Sequence, residues 1–81
     1  MEGNDKMNYE SIKSHLDKLH REYFSLFFEG DLTVAQISRR KKVSETSVER
    51  ILSNILTITA RNCDIKLFKA LERTYHNKEW R

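Results

Sequence analysis

The sequence contains no proline, only two glycines and a single cysteine. Because proline is absent and glycine is rare, long helices are favoured and β-hairpins are disfavoured. Cys63 has no partner for an internal disulfide, which is compatible with a reducing cytoplasm, and we interpret it as an ordinary half-buried small residue. No apolar run approaches the roughly 20 residues that a membrane span needs, so we expect no association with a membrane.

Sequence motifs of catalysis and metal binding are also missing. The chain has no CxxC, HExxH, P-loop or glycine-rich phosphate loop. His15 and His20 are five residues apart, a spacing that does not place two ligands on one helical face. We therefore predict that the protein is not an enzyme and holds no metal or cofactor. The first residues, MEGNDKMN, contain no apolar stretch of the kind found in signal peptides, so we expect a cytoplasmic location.

Apolar residues at helical spacing dominate what the sequence does contain. In 81 residues they predict an all-α fold, a small bundle of about four helices with one modest core. Residues 1–7 are polar and are expected to be a flexible N-terminus, and residues 8–81 to form a single domain. The expected helices cover residues 8–29, 33–42, 44–59 and 63–78.

The first predicted helix begins at the cap Asn8 and stops at Gly30. Its inward residues recur by threes and fours and include Tyr9, Ile12, Leu16, Leu19, Tyr23, Phe24, Leu26, Phe27 and Phe28. The aromatic members have two interpretations, a hydrophobic core or a platform on which nucleic-acid bases stack. Stacking platforms generally lie on exposed strands or grooves, whereas this chain has few other residues that could form a core. We predict the core.

Residues 33–52, TVAQISRRKKVSETSVERIL, predict two shorter helices joined by a tight turn. Thr33 and Gln36 can form a capping box at the start of the first. Ser44 can cap the second, whose apolar stripe is Val48, Ile51, Leu52 and Ile55.

This pattern, with Ile37-Ser38, Val43-Ser44, Val48 and Ile51-Leu52 in register, resembles the helix-turn-helix of bacterial and phage regulators, transposases and sigma factor region four. The preceding LDKLHREYFSLFFEGDLTVAQIS is similar to the register of sigma region four, in which the first helix packs across the other two. The family usually has glycine at the turn, preceded by an apolar residue; this sequence has Lys42 and Lys41 there. Lys42 must then adopt left-handed backbone angles, and Lys41 must lay its methylenes on the core and send its ammonium to water.

The resemblance implies that the second of the two helices reads base edges in the major groove of double-stranded DNA. Its outward residues, the candidates for base contacts, are Ser44, Glu45, Thr46, Ser47, Glu49, Arg50, Ser53 and Asn54. Arg50 is the best single candidate because arginine reads guanine. The two glutamates also suit the helix dipole and surface ion pairs. Candidates for phosphate contacts are Thr33, Arg39, Arg40, Lys41, Lys42 and Arg61.

Charge is distributed unevenly along the chain. Residues 1–32 contain four basic and seven acidic groups, a net charge of −3, whereas residues 33–61 contain six basic and two acidic groups, a net charge of +4. Residues 62–81 contain five basic and three acidic groups, a net charge of +2. A basic excess at the helix-turn-helix suits a polyanion, although cations also stabilise the C-terminal end of a helix.

The last predicted helix, capped by Asn62 or Asp64, has an apolar side made of Ile65, Leu67, Phe68, Leu71 and Tyr75 and a basic face made of Lys66, Lys69 and Arg73. It can close the core or form a homodimer, and Trp80 is expected to be exposed or to dock on a partner. Two functions stay open. The first is sequence-specific DNA binding in transcriptional regulation. The second is a protein-interaction module that docks on RNA polymerase, a sigma factor or another DNA-processing protein.

Overall fold

The structure, a computed structural model, describes residues 9–79 and contains no strand within them. These residues form five helices, α1 (Glu10–Lys13), α2 (Lys18–Phe24), α3 (Val34–Lys41), α4 (Glu45–Asn62) and α5 (Ile65–Glu79), and a π-helical turn (Ser25–Glu29) continues α2. The prediction of a small all-α bundle is confirmed. The expected flexible residues 1–7, the expected cap Asn8 and Trp80 lie outside the described residues.

The first predicted helix is wrong in one respect, because residues 14–17 break it into α1 and α2. Asp17 adopts an extended conformation, with φ −77° and ψ −179°, and its carboxylate accepts a hydrogen bond of 2.9 Å from the backbone N–H of His20. An aspartate that caps a new helix in this way competes with continuation of the old one. As a result Leu19, which we expected in the core, is 48% exposed.

The aromatic residues at the end of α2 form the centre of the core. Phe24 and Phe27 are fully buried, and the rings of Phe27 and Phe28 lie 4.9 Å apart in an edge-to-face arrangement. Edge-to-face pairs are a favourable geometry for buried rings. The prediction of a core is therefore confirmed, since buried rings offer no surface on which bases could stack.

Gly30 ends the helical segment, as predicted, but not in the left-handed conformation typical of glycine at a helix end. Its backbone is extended, with φ −101° and ψ −176°. A Cβ atom there would lie 2.8 Å from the carbonyl oxygen of Leu26 and 3.3 Å from that of Ser25. Glycine is required at this position because the π-helical turn comes too close for any side chain.

Lys78 in α5 bonds to the connector, residues 30–33, that follows the π-helical turn, and to the turn itself. Its Nζ donates hydrogen bonds to the carbonyl oxygens of Phe27, Gly30 and Leu32 at 2.5, 3.2 and 3.1 Å. The same ammonium lies 4.4 Å from the centre of the Phe27 ring. Burial lowers the pKa of Lys78, and the negative charge of Asp31 opposes that shift. One ammonium thus satisfies three carbonyls that have left the regular helical pattern.

Helix α4 contacts each of the other four helices and is the axis of the bundle. Its buried residues are Val48, Leu52, Ile55 and Thr59. The helix continues to Asn62, beyond the predicted end at residue 59, because Thr59 is buried and donates to the Ile55 carbonyl at 2.8 Å. Packing outweighs the low helix propensity of the β-branched residues in this turn.

Helix α5 closes the core through Leu67 and Leu71, which are buried. Asp64 precedes the helix, and its carboxylate accepts a hydrogen bond of 2.7 Å from the backbone N–H of Lys66. Asp64 therefore takes the capping position that we left open between it and Asn62. Ile65, which we placed on the apolar side, is 63% exposed, so that prediction is wrong.

Candidate nucleic-acid interface

The turn between α3 and α4, residues 42–44, depends on the backbone of Lys42. This residue has φ 59° and ψ 46°, the left-handed conformation that we predicted, at a cost of about 1 kcal/mol for a residue with a side chain. Ser38 compensates from within α3. Its carbonyl accepts from the N–H groups of Lys42 and Val43, and its hydroxyl donates to the Val43 carbonyl at 2.5 Å.

The predicted caps are confirmed at both helices. Thr33 and Gln36 form the reciprocal capping box, with bonds of 2.9 and 3.2 Å. The Ser44 hydroxyl accepts from the Ser47 backbone N–H at 3.1 Å and lies 3.0 Å from the Ser47 hydroxyl. The hydroxyls of Thr33, Ser44 and Ser47 thus already have partners in the fold, and a contact with a ligand would add to these bonds.

Lys41 behaves differently from the other cations of α3. It is half-buried, its Nζ forms an ion pair with the Glu22 carboxylate of α2, and it lies 5.7 Å from the centre of the Tyr23 ring. We expected its ammonium in water; in the structure the ammonium contacts the exposed Glu22 carboxylate at the protein surface. The hydrogen bond and charge of Lys41 lower the pKa of Glu22. Lys41 therefore connects α3 to α2 through a surface ion pair.

Arg39, Arg40 and Lys42, which we call the basic edge, are exposed. Within residues 9–79 none of the three forms an ion pair. Because only residues 42–44 separate α3 from α4, the end of α3 that carries the basic edge is close to the first turn of α4. Three unpaired cations at one helix end exceed what the helix dipole alone would favour.

The outward side of α4 forms a polar stripe without acidic residues. The α4 stripe consists of Thr46, Arg50, Ser53, Thr57 and Arg61, all exposed and spaced by three or four residues. Successive residues of a helix are rotated by about 100°, so this stripe lies opposite the buried side of α4. Thr57 was not among the predicted contacts, although its spacing from Ser53 and Arg61 could have identified it.

Glu45 and Glu49 share one flank of α4 and do not interrupt the α4 stripe. They are four residues apart, and the same helical rotation places them between the buried side and the stripe. Glu45 is exposed and Glu49 is half-buried. Asn54, which is exposed, borders the stripe on the other flank. The acidic residues therefore stand beside the basic surface rather than within it.

The acidic residues of α2 and its continuation are mostly paired. Glu29 lies 2.9 Å from the Lys13 ammonium, Glu22 pairs with Lys41, and Asp17 caps α2 while its carboxylate contacts the His20 ring at 2.8 Å. Two hydrogen bonds from His20 lower the pKa of Asp17, and the bond from the backbone N–H has a larger effect than the bond from the ring. The net negative charge counted over this part of the sequence therefore overstates the free negative charge at its surface.

Other kinds of site receive no support from the described residues. None of the helices in residues 9–79 is both long and apolar enough to cross a membrane. In the same residues no group of three or more histidine, cysteine, aspartate or glutamate side chains could hold a metal ion. No protein-family model, curated protein or solved structure matches the chain.

Proposed function

We propose that the protein binds double-stranded DNA in a sequence-specific manner, with α3 and α4 acting as a helix-turn-helix in transcriptional regulation. The main support is the acid-free, exposed α4 stripe next to the unpaired basic edge. A recognition helix needs polar side chains that face outward over several turns, and the adjoining helix needs cations for the backbone. Both requirements are met in the α3–α4 segment.

In this proposal α4 lies in the major groove. Its 18 residues make it about 27 Å long, more than the groove is wide. Arg50, near the middle of the stripe, is placed to form two hydrogen bonds to guanine, and Thr46 and Ser53 are adaptable partners for other bases. Asn54 at the border of the stripe suits adenine. One bidentate contact such as that of Arg50 is worth about 1–3 kcal/mol of discrimination.

The basic edge is assigned to phosphates. Arg39, Arg40 and Lys42 would position the protein on the backbone without reading sequence. Arg61 lies about 16 Å along α4 from Arg50, at a rise of about 1.5 Å per residue, and would meet the backbone at the far side of the groove. Lys41 contributes less than we expected from the sequence, because Glu22 already neutralises it.

The alternative is a protein-interaction module that docks on RNA polymerase or another transcription protein through the same helices. Two observations favour it. Glu45 and Glu49 form an acidic flank along α4, and Val43 in the turn is 37% exposed. A protein partner with a basic rim and a small apolar depression would fit both. This alternative requires the acidic flank, whereas DNA binding requires the α4 stripe and the basic edge.

The test is binding of the folded protein to random duplex DNA over a series of salt concentrations. Wild type is compared with Arg39→Ala/Arg40→Ala and with Lys66→Ala/Lys69→Ala, a control that removes the same charge from exposed positions of α5. Each lost phosphate contact lowers the slope of log affinity against log salt by about 0.9. We expect a slope lower by about 1.8 in the first variant and an unchanged slope in the control.

A selection from random sequences then tests base reading. Arg50→Ala should lose about 10-fold or more for the selected sequence and little for random DNA, whereas Arg73→Ala on α5 should lose neither. A two-fold repeat in the selected sequence would indicate a homodimer, the arrangement by which short recognition helices often read longer sites. If folded wild type does not bind DNA at low salt, the DNA proposal is wrong. Loss of a protein partner on Glu45→Gln/Glu49→Gln would then support the alternative.

A further inference from the structure

A groove outside the α3–α4 segment is lined mainly by cations. It has a volume of about 310 Å³, lies where the chain passes from α1 to α2, and is lined by Lys13, Lys18, Arg21, Glu22 and Ser25. Three of these five residues are basic and one is acidic. The residues of the groove belong to the part of the sequence whose net charge is negative, so composition alone gave no reason to expect a basic site there.

The ion pairs of the groove residues determine which of their charged groups can contact a ligand. Glu22 is held by Lys41, and Lys13 by Glu29 at 2.9 Å. Lys18 and Arg21 are exposed, and neither forms an ion pair within residues 9–79. Arg21 donates through one Nη to the Leu16 carbonyl at 3.1 Å, which fixes the guanidinium and leaves its other N–H groups for an acceptor. The available groups are thus a lysine and an anchored arginine.

The groove is linked to the end of α3 through one of its lining residues, Glu22. Lys18 and Glu22 are one helical turn apart on α2, Arg21 is next to Glu22 in sequence, and the Glu22 carboxylate contacts Lys41. Lys41 stands between two members of the basic edge, Arg40 and Lys42. The ion pair therefore places the groove next to the end of α3 that carries the basic edge. It also neutralises the carboxylate that would otherwise repel a phosphate in the groove.

We infer that this groove is a second phosphate-binding site, in which Lys18 and Arg21 hold the DNA backbone beside the phosphates bound by the basic edge. The inference rests on the proposed function and extends the interface from α3 and α4 to α2. A guanidinium anchored by a carbonyl presents its remaining donors in a fixed fork, the geometry that suits a phosphate. Lys18 adds a point charge without a fixed direction. Such contacts set affinity and register but not sequence preference.

The first experiment compares Lys18→Ala/Arg21→Ala with Lys66→Ala/Lys69→Ala in the same salt series. The α2 variant should lower the salt slope by about 1.8 and keep the selected sequence preference of wild type, and the α5 control should change neither. Because Arg21 also bonds to Leu16, Lys18→Ala alone serves as a second variant that cannot disturb that bond. It should lower the slope by about 0.9.

The second experiment uses inorganic pyrophosphate and the backbone amide NMR signals of the protein without DNA. Shifts centred on residues 18–25, lost in Lys18→Ala/Arg21→Ala, would support a phosphate site. If wild type binds DNA and the α2 variants keep the full slope, the inference is overturned while the proposed function stands. If wild type does not bind DNA, the proposed function and the backbone role of the groove both fail. Pyrophosphate shifts in that case would reassign the groove to a small phosphate-bearing ligand.

Discussion

The region from α1 through the π-helical turn and the α3–α4 segment differ in how the acidic side chains of the first and the basic side chains of the second are paired. In the first region Asp17, Glu22 and Glu29 each have a partner. In the second region the basic edge and Arg50 are exposed and, within residues 9–79, have no ion-pair partner. Acidic side chains in the first region are paired within the fold, whereas the basic edge and Arg50 in the second region are available to a ligand.

The comparison shows why a charge counted along a sequence differs from the charge that a partner meets. Residues 1–32 have a net charge of −3, yet the face of α2 around Lys18 and Arg21 is basic because the neighbouring acids are neutralised. Lys41 belongs to the basic run in the sequence and to the paired region in the structure. Substitutions of buried or paired residues in the first region and of the unpaired cations of either region should accordingly separate stability from DNA binding.

The largest effect should come from the core of the first region. Phe24→Ala removes a fully buried ring, and we expect the free energy of unfolding to fall by about 3–5 kcal/mol, as measured in urea. Leu19→Ala, in the same helix but half exposed, should cost under about 0.5 kcal/mol. Equal costs at the two positions would mean that α2 is not packed as described.

A smaller loss of unfolding free energy is expected at Lys78, the α5 side chain that donates to the connector after the π-helical turn. Lys78→Met keeps the aliphatic length but leaves the carbonyls of the connector without their donor, which should cost about 1–3 kcal/mol of unfolding free energy. Lys69→Met on the exposed side of α5 is the matched control and should change the unfolding free energy little. A loss as large in the control would show that charge, and not the three hydrogen bonds, matters.

Lys42 should give opposite effects on stability and binding. Lys42→Gly relieves the left-handed backbone and should raise the free energy of unfolding by about 1 kcal/mol. It also removes a proposed phosphate contact and should lower the salt slope of DNA binding by about 0.9. Arg40→Gly removes the same charge within α3 and should instead reduce stability by about 1 kcal/mol. If Lys42→Gly leaves binding unchanged, Lys42 is outside the interface.

The smallest expected effect on stability is that of the exposed ion pair between Glu22 and Lys41, which connects α2 to α3. The pKa values of Glu22 and Asp17 are lowered in the folded protein from ordinary values of 4.5 and 3.8. Their contribution to stability is therefore complete above those values and is lost as pH falls through the lower folded values. Unfolding curves recorded at decreasing pH should show this loss, and Glu22→Gln should reduce it. Salt should weaken the effect, since both groups are exposed.

Local features of the fold could be predicted from the sequence, and long-range ones could not. The caps at Thr33 and Ser44 depend on residues within a few positions, so a short pattern specifies them, and the left-handed Lys42 followed from the resemblance to the helix-turn-helix. The start of a new helix at Asp17 was missed because apolar spacing continues across the break, although aspartate is a good capping residue.

Residues of the candidate site also fall into two groups, those that local spacing predicts and those that depend on long-range packing. Thr46, Arg50, Ser53 and Arg61 follow from helical spacing once α4 is assigned. Lys18 and Arg21 do not, because their availability depends on an ion pair between Glu22 and Lys41, which are 19 positions apart. No pattern within one helix could reveal that contact, and only the packing of α3 against α2 brings it about.

The hydrogen bonds of Lys78 also have a consequence for biosynthesis. They join positions 46 to 51 residues apart, and a ribosome makes the acceptors long before it makes the donor. A nascent chain that has released α1 to α4 would contain the complete α3–α4 segment, while the carbonyls after the aromatic core would still lack their ammonium. The growing chain therefore passes through a stage at which its α3–α4 segment is complete and its core is not yet closed, and a pause in translation at that stage would prolong its exposure to chaperones and proteases.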